Sequence, residues 1–275
     1  MRMLRSWWRA DARTWQILAL SILVLLSNLW SSFGAGPASL VAACAGALSA
    51  QAGWARLRGQ AFDWRSPLIT ALSLTLLLRT PDPLWHAAAA AAGISSKWLL
   101  RWQGKHFFNP ANFAVILFLL AGDRFWISPG QWGSEAWVVG LIVGLAALVL
   151  GCARRMDVAV AFAAVFVGGL FARAASLGDP WAIPLHQMQS GALIIFSCFM
   201  ITDPRSTPDH PAARIIFAAL VAWLALRFQI RLQLVGAPLY ALAALSPLTP
   251  VFDRLFRHRR FEWRPRQENV HEVLA

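Results

Sequence analysis

From residue 15 to residue 252 the chain is a succession of apolar runs, each about 15 to 20 residues long, separated by short polar gaps. A bilayer core takes about 20 helical residues, or about 17 at the short end, so few folds are open to such a pattern. Ten spans are predicted, at approximately 15–30, 37–54, 66–79, 84–100, 109–122, 137–152, 158–172, 188–202, 212–228 and 235–252. The third and the eighth are short for a full crossing. Short apolar helices beside Gly and Pro are the pattern of discontinuous membrane helices. Charged residues make up 14% of the chain, against about 25% in soluble domains, which leaves too little polar surface to coat a soluble bundle. The expected fold class is all-α, a polytopic membrane protein.

With the N-terminus placed inside, all but Arg79, Arg124, Arg173, Arg227 and Arg231 of the 25 Lys and Arg residues fall in cytoplasmic segments. Such a bias predicts both termini in the cytoplasm and an even number of spans. Topology and anionic lipid then account for the net charge of +12, and the lipid bilayer, not nucleic acid, is the expected partner. Many of the 15 Trp residues, Trp64, Trp85, Trp102, Trp126 and Trp181 among them, lie at or near predicted span ends, where an amphipathic ring suits the headgroup layer. A cofactor-stacking role for one of them is the alternative. Cys44, Cys152 and Cys198 are isolated, so neither an iron–sulfur cluster nor a structural metal is expected. The first apolar run is as long as a span and no small-residue cleavage site clearly follows it, so it is expected to be a span rather than a signal peptide.

The predicted organisation is a cytoplasmic N-terminus (1–14), a first transmembrane repeat (15–122), an outer loop (123–136), a second repeat (137–256) and a cytoplasmic tail (257–275). Five spans per half force the halves into opposite orientation, so any repeat is inverted. A weak echo supports one. Ser66-Pro67-Leu68-Ile69 leads through Ser73 to Thr80-Pro81-Asp82-Pro83, and Ser190-Gly191-Ala192-Leu193 leads through Ser197 to Thr202-Asp203-Pro204. Chance similarity between apolar helices is the competing explanation.

Candidate site residues lie at these helix ends. Asn109 and Pro110 cap and start the fifth span, which accounts for both of them. Capping leaves Lys105, His106 and Asn112 unexplained, and a helix N-terminus beside a lysine suits an anion or phosphate. At the outer end of the eighth span, Ser190, Gly191 and Ala192 allow either close approach of a ligand or tight helix packing. At its inner end, Thr202 and Asp203 are either a stop signal or ligands to a cation or a polar ring edge. An inverted repeat predicts that the two inner helix ends, 109–112 and 202–204, approach each other, and likewise the outer ends 80–83 and 190–193. No Asp or Glu falls near the middle of a span, which argues against a carboxylate proton relay. His86 and His186 are expected to be solvated span-end or loop residues rather than haem ligands. No residue is assigned a catalytic role.

These residues also carry a family resemblance. The segment from Asp63 to Leu78, Phe108-Asn109-Pro110-Ala111, and the stretch from His186 to Pro204 followed by Arg214-Ile215-Ile216-Phe217 resemble the NqrB/RnfD family. Its members are membrane subunits of the sodium-translocating NADH:quinone reductase and of the Rnf electron-transport complex. The resemblance implies ten helices in two inverted five-helix repeats, a bacterial inner membrane, and flavin-linked electron transport within an oxidoreductase complex. In that family the residue after Ser-Gly-Ala is a threonine esterified to FMN. Here it is Leu193, which has no hydroxyl, so FMN or riboflavin is expected to bind noncovalently if it binds. The run from Ser96 to His106 is similar to stand-alone relatives, some of them in enediyne-type biosynthetic clusters. Partner subunits are accordingly expected from electron transfer or biosynthesis. A redox-silent channel, transporter or membrane scaffold on the same fold is the alternative.

Overall fold

The computed structural model describes residues 11–29, 35–128 and 136–262. Most of the predicted N-terminal segment, half of the outer loop and most of the tail lie outside the described residues. Helices follow the apolar runs: α1 (Ala12–Leu29), α2 (Pro37–Leu57), α3 (Arg65–Leu77), α4 (Leu84–Leu99), α5 (Pro110–Ala121), α6 (Ala136–Ala153) and α7 (Met156–Leu177). Beyond them come α8 (Ala182–Met188), α9 (Gly191–Ile195), α10 (Pro211–Arg231), α11 (Ala237–Leu245) and α12 (Thr249–Leu255). Four of these, α1, α2, α7 and α10, are long and apolar enough to cross a membrane. Large apolar side chains face outward along the helices, with Leu120 73%, Val160 58% and Trp223 56% exposed, as a lipid-facing surface requires.

Local chemistry sets the helix boundaries. Asn109 Oδ1 accepts from the backbone N–H groups of Ala111 and Asn112, both at 3.1 Å, and Pro110 occupies the first turn of α5, where its missing N–H costs nothing. His210 and Pro211 start α10 in the same way, with His210 Nδ1 accepting from Ala212 N at 3.2 Å. The eighth predicted span begins later than expected. A turn at Gln189 and Ser190 separates α8 from α9, and α9 continues into a π-helical turn, Phe196–Met200. Such a turn widens the helix and is frequent at functional sites.

Short two-stranded ladders, absent from the all-α expectation, tie loops together. β1 (Leu78–Arg79) pairs antiparallel with β4 (Trp126–Ile127), joining the ends of α3 and α5. β2 (Arg101–Trp102) and β3 (Lys105–His106) form a hairpin between α4 and α5. Its two turn residues, Gln103 and Gly104, have φ of 48° and 85°, as a type I′ turn requires.

Helix α4 packs on α2, and α10 packs on α7. Trp54 of α2 stacks on Trp98 of α4, donating to Ser95 Oγ at 3.0 Å while Trp98 donates to Gln51 Oε1 at 3.3 Å. Mid-helix glycines open both seams: Gly46 lies against the Ala87 backbone, and Gly169 lies against the Leu226 side chain. The halves meet where α1 packs on α6, α5 on α11, and α3 on α9.

Polar contacts sort to two ends. At the charged end, Arg13 pairs with Asp11 and Asp63, Lys105 with Asp209 and Asp253, and Arg214 with Asp157. At the far end lie the β1–β4 ladder and the loops around Ser190 and Gly236. Thus α3, α5, α7 and α10 run from the charged end to the far end, and α4, α9 and α11 return.

Candidate functional site

Cavities open at both ends, and two of them, one at each end, are lined by predicted site residues at the helix ends. The far-end cavity, of about 380 Å³, lies between α7, α9, α10 and α11. Phe166 and Phe196 supply aromatic walls, Gln187, Gln229 and Gln233 supply amides, and Ser190, Ala192 and Leu193 line its α9 side. Ser190 Oγ caps α9 by accepting from Leu193 N at 3.4 Å, and Gly191 is buried. Among the described residues that line it there is no Arg, Lys, His, Asp or Glu. Such a pocket suits a neutral ring whose polar edge meets amides.

The charged-end cavity, of about 210 Å³, lies between the start of α1, the starts of α3 and α5, the end of α4, and the 199–205 turn. Lys97, Arg101, Arg205 and His106 face it together with Arg13, Asp63, Ser66, Ser73, Asn109 and Asp203. Asn109 Nδ2 donates across the halves to Met200 O at 3.4 Å and to Asp203 Oδ2 at 3.5 Å, so the inner helix ends meet. The outer pair is looser: α3 touches α9, and residues 80–83 do not line the cavity that 190–193 line.

Two electrostatic features mark this cavity. Burial, reinforced by the charges of Lys97, Arg205, Arg101 and Lys105, holds the His106 imidazole well below its ordinary pKa, so the ring is neutral. Burial pushes the Asp203 carboxyl up, against the opposing pull of the Arg205 N–H, the Ser206 hydroxyl and the charges of Arg205 and Arg155.

The predicted site residues do not form one cluster. Ser190 and Ala192 line the far-end cavity, with Gly191 buried beside them, and Asn109 and Asp203 line the charged-end cavity. Thr202 donates to Cys198 O at 2.7 Å within its own turn. Lys105 is not beside Asn109 in that cavity. Its ammonium donates to Thr207 O at 2.7 Å, Asp209 Oδ2 at 2.9 Å and Asp253 Oδ2 at 2.7 Å. Asn112 is 0% exposed in the helix core, where its Nδ2 donates to Leu239 O at 3.2 Å and its Oδ1 has no partner among the described residues. His86, expected to be solvated, is buried with Nε2 3.2 Å from Leu78 O, whereas His186 is exposed.

Sequence reasoning missed Lys97, Arg101 and Arg205 as site residues because each also satisfies the positive-inside pattern. It also missed Gln229 and Gln233. Gln229 sits in the last turns of α10, whereas Gln233 follows the helix end with a φ of 50°, so only the tertiary fold brings the two amides to one cavity.

Residues 118–262, more than half of the chain, match the model of the family described as NQR2, RnfD, RnfE. No curated protein matches the chain.

Proposed function

The chain belongs to the NQR2, RnfD, RnfE family, and from that premise we propose that it is a membrane subunit of an Rnf/NQR-type electron-transport system that holds its flavin without a covalent bond. One observation carries the reading. Leu193, at the position where the resemblance places the flavin-bearing threonine, lines the far-end cavity beside Phe166, Phe196 and the three glutamines. A leucine there removes the ester oxygen and adds apolar wall.

An isoalloxazine ring is flat and largely apolar with a hydrogen-bonding edge, which matches rings on the walls and amides at the rim. A phosphate would be desolvated there without a counter-charge, which is costly. The cavity therefore favours riboflavin over FMN. Bound flavin supplies one- and two-electron chemistry, while Gln187, Gln229 and Gln233 orient the ring and the apolar wall excludes water.

The same reading includes ten helices in two inverted repeats, with the charged end at the cytoplasmic face of a bacterial inner membrane. Equivalent pairs support it: α2 on α4 matches α7 on α10, and α4 on α5 matches α10 on α11. Gly46 and Gly169 open the equivalent seams. Electron-transfer or biosynthetic subunits are the proposed partners. Leu193 also favours a second reading, a redox-silent channel, transporter or scaffold that keeps the fold.

The test is an absorption spectrum of protein purified in mild detergent, followed by acid precipitation. Flavin bands that pass wholly into the acid supernatant are expected. Flavin fluorescence on a denaturing gel would overturn noncovalent binding and point to Ser190 as the nearest hydroxyl. A colourless protein that takes up neither riboflavin nor FMN would favour the redox-silent reading.

A further inference from the structure

The charged-end cavity gathers more positive charge and more hydrogen-bond donors than its own residues satisfy. Among the described residues Lys97 Nζ makes one hydrogen bond, to Ser66 Oγ at 3.0 Å. The Arg101 guanidinium carbon lies over the Trp98 ring, 4.5 Å from its centroid, with Nε donating to Lys97 O at 2.6 Å. Its terminal amino groups are then positioned and without an acceptor among the described residues. Among the described residues Arg205 makes one long side-chain contact, at 3.5 Å, to Phe261 O. Among the described residues no carboxylate comes within ion-pair distance of Lys97, Arg101 or Arg205. By contrast, Arg13, Lys105 and Arg214 at the same end each have a carboxylate partner.

The two acids on the cavity wall do not redress the balance. Asp63 is committed to Arg13 at 2.5 Å and to the Arg65 N–H at 3.2 Å. Asp203 accepts from the Arg205 N–H at 3.0 Å and from Ser206 Oγ at 3.1 Å. The starts of α3 and α5 add the positive ends of two helix dipoles. Ser73 and His106, 3% and 6% exposed, also face the cavity without a side-chain partner among the described residues. Like charges converging in a partly desolvated space are unfavourable unless an anion joins them.

We propose that this cavity is a phosphate-binding site, in which Lys97, Arg101 and Arg205 hold a phosphate group and Ser73 and His106 line its remaining surface. A guanidinium with both amino groups free suits two phosphate oxygens, and Lys97 adds a point charge. The phosphate comes either from a soluble phosphomonoester or from an anionic lipid headgroup, since the cavity lies at the headgroup level of the proposed topology. The site is at the opposite end from the flavin cavity and does not depend on the flavin reading.

The test is the thermal unfolding midpoint of the full-length protein in neutral detergent. It is titrated with inorganic phosphate, with glycerol 3-phosphate and with chloride at matched ionic strength, and separately in mixed micelles of phosphatidylglycerol or phosphatidylcholine. A saturable rise with a phosphate-bearing probe but not with chloride is expected. A response to the soluble probes identifies a soluble ligand, and a response to phosphatidylglycerol alone identifies a headgroup. Lys97→Gln and Arg205→Gln should each weaken the response about tenfold or more, the loss of one charge-assisted hydrogen bond. Arg254→Gln, which removes an exposed charge outside the cavity, should leave it unchanged. Lys97→Arg keeps the charge and should retain binding within a few-fold, so Lys97→Arg and Arg205→Gln decide the matter if Lys97→Gln fails to fold. No response to any phosphate probe, an equal response to chloride, or equal responses in wild type and Arg205→Gln would overturn the proposal.

Discussion

Gly93 of α4 lies so close to Pro110 of α5 that a Cβ on Gly93 would stand 2.6 Å from the Pro110 carbonyl oxygen and 3.2 Å from Ala114 Cβ. The contact is backbone against backbone, at the start of the helix whose cap, Asn109, reaches Asp203 in the other half of the chain. One missing side chain thus helps to place the wall of the charged-end cavity.

Gly93→Ala should therefore destabilise the protein by about 1–3 kcal/mol, the usual cost of overpacking a rigid site. Gly144→Ala on α6, where an added Cβ meets nothing within 4 Å, is the control. It should be neutral or stabilising by up to about 1 kcal/mol, the helix-propensity gain. Thermal unfolding in detergent checks both, and equal effects would remove the packing argument.

Lys105 clasps three segments, the β2–β3 hairpin, the loop before α10 and the helix α12. Lys105→Met leaves Asp209 and Asp253 side by side and unpaired, and should cost about 3–5 kcal/mol. Adding Asp253→Asn should recover part of that loss, because the two changes act on one network. A double variant no more stable than Lys105→Met would show that the clasp is not electrostatic.

The neutral state of His106 makes stability depend on pH. Its folded pKa is lowered by burial and by Lys97, Arg205, Arg101 and Lys105, so below about pH 6.5 the unfolded chain binds a proton that the folded chain does not. Its stabilising contribution is complete above that pH and is lost as pH falls, by up to about 1.4 kcal/mol per unit. Wild type should thus lose more stability than His106→Asn between about pH 7 and pH 5. Parallel unfolding curves across that range would rule out His106 as the source.

Reporter fusions test the proposed topology. Fusions after Arg65, Arg205 and Arg257 should report the cytoplasm, and fusions after Asp123 and Gln233 the outside. An outside result at Arg257 would make the number of crossings odd and end the inverted-repeat reading.

The apolar runs, the Asn-Pro and Ser-Gly helix starts and the one-sided basic bias are legible without coordinates, because each is a local or compositional response to the bilayer. The meeting of residues 109 and 203 also follows from the sequence, by the reasoning that equivalent helix ends share an axis. The membership of each cavity does not. Lys105 and Lys97 look alike in the sequence, since both are basic residues beside a span on the same side. Only the tertiary fold gives Lys105 two carboxylates, from residues 209 and 253, and leaves Lys97 with a single serine hydroxyl. Likewise Asn112 lies in the same helix turn as Asn109, yet helix packing turns it onto the Leu239 carbonyl in the core. Helix formation and membrane insertion depend on interactions within a segment, whereas partner choice depends on residues about 100 positions away that packing brings into reach.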